Sequence, residues 1–306
     1  MKKNSKTIHH MHVTRRSFLK YCSAVSATLG LTPLDLAHLQ NALANPAAPK
    51  VIWLQGSGCT GCSISFLNYV SPTAPLSAAD VLVSNINLLH HPNLSASAGN
   101  TVVEILKTAL AQGNYILIVE GGIPTAFGGN ACIAWSENGV EKTFQQAVME
   151  LTAKAIKTIC VGNCAAWGGI PAAGINITAI KGVKAVTGKT TINIAGCPPH
   201  PNWIVGTIVE LLQGKTVALD AYGRPASLYS KKVHDSCPLK ERDEIKTFGV
   251  TGRCLKALGC RGPETMAICP TLKWNNGVNW CIGANAPCIG CTNPTFPGKE
   301  ALFRIS

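Results

Sequence analysis

Short apolar runs alternate with longer amphipathic stretches along this chain. Lys50–Gln55 (Lys-Val-Ile-Trp-Leu-Gln) has the character of a buried strand and runs into Gly56-Ser57-Gly58. Cys59–Tyr69 reads as a helix, and Asp80–Leu89 as a second strand. Thr101–Gln112 places Val102, Val103, Leu106 and Leu110 at helical spacing. Tyr115–Val119 is a continuous apolar strand ending in Glu120-Gly121-Gly122. Thr143–Ala155 reads as a helix, and Thr158–Val161 and Thr191–Ala195 as short strands. The alternation predicts an α/β fold, a parallel sheet with helices on both faces. Functional groups in such sheets sit beyond the carboxyl ends of the strands. Cys59, Glu120, Cys164 and Cys197 all fall there.

After about Tyr222 the periodicity fades and Gly, Pro and Cys become frequent. Seven cysteines lie in this stretch: Cys237, Cys254, Cys260, Cys269, Cys281, Cys288 and Cys291. With so little apolar core, disulfides or metal must hold it. A boundary near 225 divides an α/β domain, 45–225, from a cysteine-rich domain, 226–306.

Composition narrows the function classes. The chain has 306 residues, 46% of them apolar and 14% charged, enough for a sizeable core. Its net charge is +12, but residues 1–44 carry +5 of it and the remainder only +7, with no basic block. Nucleic-acid binding would need a basic stripe with aromatic partners, and none is present. No run reaches the roughly 18 apolar residues of a membrane span. The unusual feature is 14 cysteines in a chain too long to need disulfide staples.

Thr14-Arg15-Arg16-Ser17-Phe18-Leu19-Lys20 is a twin-arginine export pattern, followed by a mildly apolar stretch and the cleavage site Ala42-Leu43-Ala44. Residues 1–44 therefore read as a signal peptide. That route exports proteins already folded, so the cysteines are free to be cofactor ligands although the periplasm is oxidising.

The cysteines fall into three groups. Cys59-Thr60-Gly61-Cys62, Cys164 within Gly162-Asn163-Cys164 and Cys197 within Gly196-Cys197-Pro198 stand at the ends of three predicted strands. Neighbouring glycines let backbone N–H groups approach cluster sulfurs. An iron–sulfur cluster fits this group, with a redox dithiol or a four-cysteine zinc site as rivals. His234, Cys237, Cys254 and Cys260 supply one imidazole and three thiolates, which suit zinc as well as iron–sulfur. Cys269, Cys281, Cys288 and Cys291 form a four-thiolate set, with a zinc ribbon as the alternative. Eleven cysteines and one histidine make three sites of four. Cys22 leaves with the signal, Cys160 reads as a small apolar strand residue, and Cys132 as a loop thiol. Three clusters in one chain serve as a wire, with the chemistry at its ends.

The chain resembles the small subunit of nickel–iron hydrogenases. The likeness is carried by Trp53-Leu-Gln-Gly-Ser-Gly-Cys-Thr-Gly-Cys-Ser63, Val119-Glu-Gly-Gly-Ile-Pro-Thr125, Val161-Gly-Asn-Cys-Ala-Ala-Trp-Gly-Gly-Ile-Pro-Ala172 and Gly196-Cys-Pro-Pro-His-Pro-Asn-Trp203. His234-Asp-Ser-Cys-Pro238, Leu258-Gly-Cys-Arg-Gly-Pro263 and the Cys269–Cys291 block complete it, so the likeness runs from about 50 to 298. It implies a flavodoxin-like domain followed by an irregular cluster-binding domain, paired with a large subunit that holds the nickel–iron centre. By the family pattern Cys59, Cys62, Cys164 and Cys197 hold the proximal cluster. His234, Cys237, Cys254 and Cys260 hold the distal one, and Cys269, Cys288 and Cys291 the medial one.

Many relatives have proline at the fourth medial position and a 3Fe–4S cluster there. Cys281 occupies that position here, which implies three 4Fe–4S clusters and a likeness to the nickel–iron–selenium branch. Oxygen-tolerant relatives carry extra cysteines at the positions of Gly61 and Gly169, which implies an oxygen-sensitive enzyme here. No catalytic acid or base is assigned to this chain. Glu120 is read as an interface, structural or proton-relay residue. Around His234, Lys231, Lys232, Lys240, Arg242 and Lys246 face Asp235, Glu241, Asp243 and Glu244, a near balance that selects no partner by charge. A cytochrome c is the expected acceptor on family grounds. The chain stops at Ser306 without room for a spanning helix, so a periplasmic enzyme is expected, with any anchor in another subunit. The rivals are a zinc-stabilised binding module and a quinone-reductase relative, which would share only the first domain.

Overall fold

The computed structural model describes residues 48–298; the expected signal peptide lies outside them. The strands are β1 (Lys50–Gln55), β2 (Asn87–His90), β3 (Tyr115–Glu120), β4 (Ile123–Pro124), β5 (Ile133–Glu137), β6 (Val140–Thr143), β7 (Lys157–Val161), β8 (Ile180–Lys181) and β9 (Ile192–Ile194). The principal helices are α1 (Gly61–Leu67), α2 (Asn100–Gln112), α3 (Phe144–Lys154), α4 (Asn163–Trp167), α5 (Val183–Thr187) and α6 (Pro201–Leu212). Five strands form one parallel sheet in the order β2-β1-β3-β7-β9. Counted along the chain this is 2-1-3-4-5, the flavodoxin-like order, whose switch point lies between β1 and β3.

The near-continuous apolar runs of β1 and β3 follow from burial on both faces. Alternate residues go to opposite sides. Val51, Trp53, Ile116, Ile118, Ile159, Val161 and Ile194 pack with Phe66 of α1 and Trp203, Ile204 and Ile208 of α6. Ile52, Leu54, Leu117, Val119 and Cys160 pack with Leu106 of α2, Phe144, Val148 and Leu151 of α3 and Val183 of α5. Cys160 is a core residue, its thiol pushed up to about 12 by burial.

One expected strand is corrected. Residues 78–85 coil into helical turns, Ala78–Asp80 and then Val81–Asn85, and only Asn87–His90 is extended. Ser77 Oγ accepts the Asp80 N–H at 3.3 Å and Asp80 Oδ2 accepts the Ser77 N–H at 2.9 Å. That capping box starts a helix and overrides the β-branched preference of Val81 and Val83. Helix α6, unassigned by the pattern, begins at Pro201 with His200 Nδ1 accepting the Asn202 N–H at 3.1 Å.

After Tyr229 the described residues hold only 3₁₀ turns and one short helical turn, Cys269–Leu272. The compact unit nevertheless continues from Ala48 across residue 225. Val233, Leu255, Leu258, Trp280 and Ile282 join the core on the α1/α6 face of the sheet.

Candidate metal centres

The first cysteine group gathers at the switch point. Thr60 takes the left-handed conformation (φ 66°), and its hydroxyl accepts from the Gln55 amide at 2.6 Å. That turn leaves Cys59 exposed and Cys62 buried at the start of α1. Cys164 lies in α4 beyond β7, and Cys197 follows β9. Ser65 Oγ donates to the Pro199 carbonyl at 2.6 Å and ties α1 to the Cys197 loop. Burial pushes the Cys62 thiol far up, and charge on Glu120, Cys164, Cys197 and Cys59 adds to the shift. Burial, followed by Cys197, holds Cys164 up at about 12. The four thiols thus share one electrostatic neighbourhood. Gly162 has φ 88°, and a Cβ there would stand 2.5 Å from Cys62 Sγ, so only glycine fits.

Glu120 is 2% exposed and acts as a scaffold. Its Oε1 accepts the backbone N–H groups of Cys62 at 3.1 Å and Ser63 at 3.3 Å. Its Oε2 accepts from the Trp53 indole at 3.1 Å and from Ser63 Oγ at 2.5 Å. A carboxylate against the first N–H groups of a helix is a favourable placement. Ser63 Oγ also meets His91 Nε2 at 3.2 Å, while His91 Nδ1 accepts the Asn93 N–H at 3.1 Å. Nδ1 is therefore the acceptor, Nε2 carries the hydrogen, and the Ser63 hydroxyl is left to donate to Glu120. Burial, and after it His90, lowers the His91 pKa to about 4. The structural reading of Glu120 is the one its partners support. Trp53 and Ser63 stand within the first motif but were given no role there, and His91 carried no signal in the sequence.

The third group rings a cavity of about 430 Å³. Cys269, Cys281, Cys288 and Cys291 all line it, with Trp274, Trp280 and Ile289 among the apolar walls. Burial raises Cys269 to about 12 and Cys288 to about 11, and raises Cys281 as well. Cys291 is pushed further up by burial and then by Cys269, Cys288 and Cys281. The Trp274 side chain beside Cys269 and the Gly290 backbone beside Cys288 favour those thiolates and partly offset the burial.

The second group lies toward the surface. His234 sits in the 3₁₀ turn Val233–Ser236 and is half-buried. Cys237 is raised by burial and further by Cys260 and Cys254. A Cβ at Gly262 would lie 3.5 Å from Cys260 Sγ and 3.8 Å from the backbone nitrogen of His234, so the Gly262 turn lies near both residues. Cys254 bridges to Glu244 at the base of an exposed loop, 246–253.

The three groups adjoin. Cys197 lines the third group's cavity, and its backbone lies close enough to favour the Cys291 thiolate. The backbone N–H of Cys288 donates to Cys260 Sγ at 3.4 Å. Among the described residues, no three His, Cys, Asp or Glu side chains close on a single ion. The third group instead surrounds a cavity, as a cluster of several irons requires of its ligands. That cavity, its thiols and the Cys288 N–H aimed at Cys260 Sγ fit iron–sulfur groups. Thiols held protonated by burial would give up their protons to solvent when metal binds.

Comparison with known proteins gives a consistent picture. Residues 59–211 match the family described as NADH ubiquinone oxidoreductase, 20 Kd subunit, and residues 229–304 match the C-terminal family of the NiFe/NiFeSe hydrogenase small subunit. The chain is 38% identical to the periplasmic NiFeSe hydrogenase small subunit of Desulfomicrobium baculatum, over 97% of this chain and 100% of that one. It is 36% identical to the periplasmic NiFe hydrogenase small subunit of Solidesulfovibrio fructosivorans, over 93% and 90%. A solved structure of the NiFeSe hydrogenase from Desulfovibrio vulgaris Hildenborough superposes with a TM-score of 0.78 at 40% identity, covering 84% of this chain and 98% of that one.

Proposed function

The chain belongs to the small-subunit family of nickel–iron and nickel–iron–selenium hydrogenases, and on that premise we propose that it conducts electrons through three iron–sulfur sites. It works as a complex with a hydrogenase large subunit, where hydrogen is split. Cys59, Cys62, Cys164 and Cys197 hold the proximal site. Cys269, Cys281, Cys288 and Cys291 hold the medial site, and His234, Cys237, Cys254 and Cys260 the distal one. Bound 4Fe–4S clusters supply one-electron redox chemistry at each.

The residues of the chain do the rest. Glu120 fixes the first turn of α1 and so the Cys62 sulfur. Trp274 and Trp280 wall the medial cavity, and Cys281 stands on its exposed side. The Trp274 side chain and the Gly290 backbone lie beside Cys269 and Cys288 and favour their thiolates. The proximal rim, where Cys59 is open and Ile64, Leu67 and Ile170 expose apolar side chains, is covered by the large subunit. Single exposed apolar residues are ordinary, but here two follow the open ligand in α1 and the third follows the Cys164 helix. Electrons leave at the half-buried His234. A cytochrome c is the acceptor, and the mature protein is periplasmic after twin-arginine export. Among the described residues no helix is long and apolar enough to cross a membrane.

What supports the reading most directly is the single cavity ringed by Cys269, Cys281, Cys288 and Cys291, with Cys197 on its wall. Metal analysis of the purified complex tests it. About twelve irons in this chain are expected for three 4Fe–4S sites. Zinc in their place would favour a zinc-stabilised module.

A further inference from the structure

We infer that Asn163 is a positioning residue for the first electron-transfer step, holding the proximal ligand loops against the medial ligand loop. The inference rests on the ligand sets proposed above. Asn163 precedes Cys164 and is 1% exposed. Its backbone N–H donates to the Gly196 carbonyl at 3.0 Å. Its Oδ1 accepts the Gly196 N–H at 2.9 Å, and its Nδ2 donates to the Asn293 carbonyl at 3.0 Å. One buried amide therefore joins three loops. Cys164 is one residue from it, Cys197 is one residue beyond Gly196, and Cys291 lies two residues before Asn293.

The consequence is local. Cys197 and Cys291 line the same cavity, one from each ligand set, and the Cys197 backbone lies close enough to favour the Cys291 thiolate. Their approach depends on the spacing of Gly196 and Asn293. The Asn163 side chain spans that gap. A buried amide with both ends engaged resists displacement, because either end left unpaired would be a buried polar group without a partner. The step it serves moves one electron: the proximal set is oxidised, the medial set is reduced, and no bond or proton changes.

Asn163→Asp separates this role from a general structural one. A carboxylate keeps an acceptor for Gly196 but offers no hydrogen to Asn293. Two assays on the whole complex are compared. Hydrogen–deuterium exchange is redox-neutral and needs no wire, whereas hydrogen oxidation with a viologen dye does. The expected result is exchange within twofold of the parent and dye reduction lowered by about tenfold, equal to about 1.4 kcal/mol of barrier. The magnetic interaction between the reduced proximal and medial sites should weaken in the paramagnetic resonance spectrum. Asn163→Ala should show the same split.

An unchanged ratio of dye reduction to exchange with the irons retained would overturn the inference. Loss of proximal iron in both variants would also overturn it, since Asn163 would then be needed for assembly instead of spacing. A parent complex that holds no iron in this chain would instead refute the ligand assignment itself.

Discussion

The backbone N–H of Cys288 donates to the sulfur of Cys260 at 3.4 Å, across 28 residues of chain. The donor belongs to the cavity-lining third group and the acceptor to the second. With Cys197 of the first group lining the same cavity, the Cys288–Cys291 segment adjoins both other groups.

Cys281 should decide the type of the medial cluster proposed above. Its thiol lines the cavity with the other three, so the intact enzyme should lack the near-isotropic 3Fe signal when oxidised. Cys281→Pro should create that signal and raise the medial potential, because a thiolate charge is removed. Paramagnetic resonance of parent and variant checks both outcomes.

Trp274 should tune the same site. Its side chain stands beside Cys269 and favours the thiolate, and an indole N–H directed at a cluster sulfur raises the potential. Trp274→Phe keeps a ring against His200, now 4.9 Å away centroid to centroid, but loses the donor. A redox titration should find the medial midpoint lowered, with iron content unchanged.

Glu120→Gln should loosen the proximal scaffold. The carboxylate accepts four hydrogen bonds, two from backbone and two from side chains. An amide NH₂ in place of one oxygen sets donor against donor. The cost is about 2 kcal/mol, a fall of roughly 4–8 °C in apparent Tm for a chain of this size. Differential scanning calorimetry of the complex reads it.

His91 should make stability fall in mild acid. Its folded pKa of about 4 lies below the unfolded value near 6.5, so the unfolded chain binds the extra proton in that window. Stability is full above about pH 6.5 and is lost as pH falls toward 4, by up to about 3 kcal/mol. The physical cause is burial, reinforced by Nδ1 being committed as an acceptor to Asn93. Denaturant unfolding from pH 7 to 4.5 should show a shallower slope in His91→Gln.

Oxygen should stop the enzyme, since Gly61 and Gly169 offer no extra sulfur at the proximal site. Gly169 has φ 55°, and a Cβ there would lie 2.9 Å from Cys164 Sγ. Gly169→Cys alone should therefore lose proximal iron before it confers tolerance. Hydrogen oxidation in air, with iron analysis of the variant, checks this.

The sequence by itself determined the chemistry. Which side chains carry sulfur or imidazole, and at what spacing, is a local property, so three groups of cysteines could be read from the chain, while their order along a wire came only from the family resemblance. So were β1, β3, β7 and α2, because a buried strand and an amphipathic helix leave their period in the chain. The helical turns at 78–85 were written in Ser77-x-x-Asp80, but a β-branched run masked them. Only the tertiary structure decided what lies against what. Glu120 meets Cys62 across 58 residues, and Asn163 meets Asn293 across 130. Such contacts arise where sheet order brings loop ends together, and pairing over that separation leaves no trace in local periodicity. The sheet order 2-1-3-4-5 puts the proximal ligands at one end of the strands, and the packing of the last segment on the α1/α6 face brings the medial thiols to Cys197.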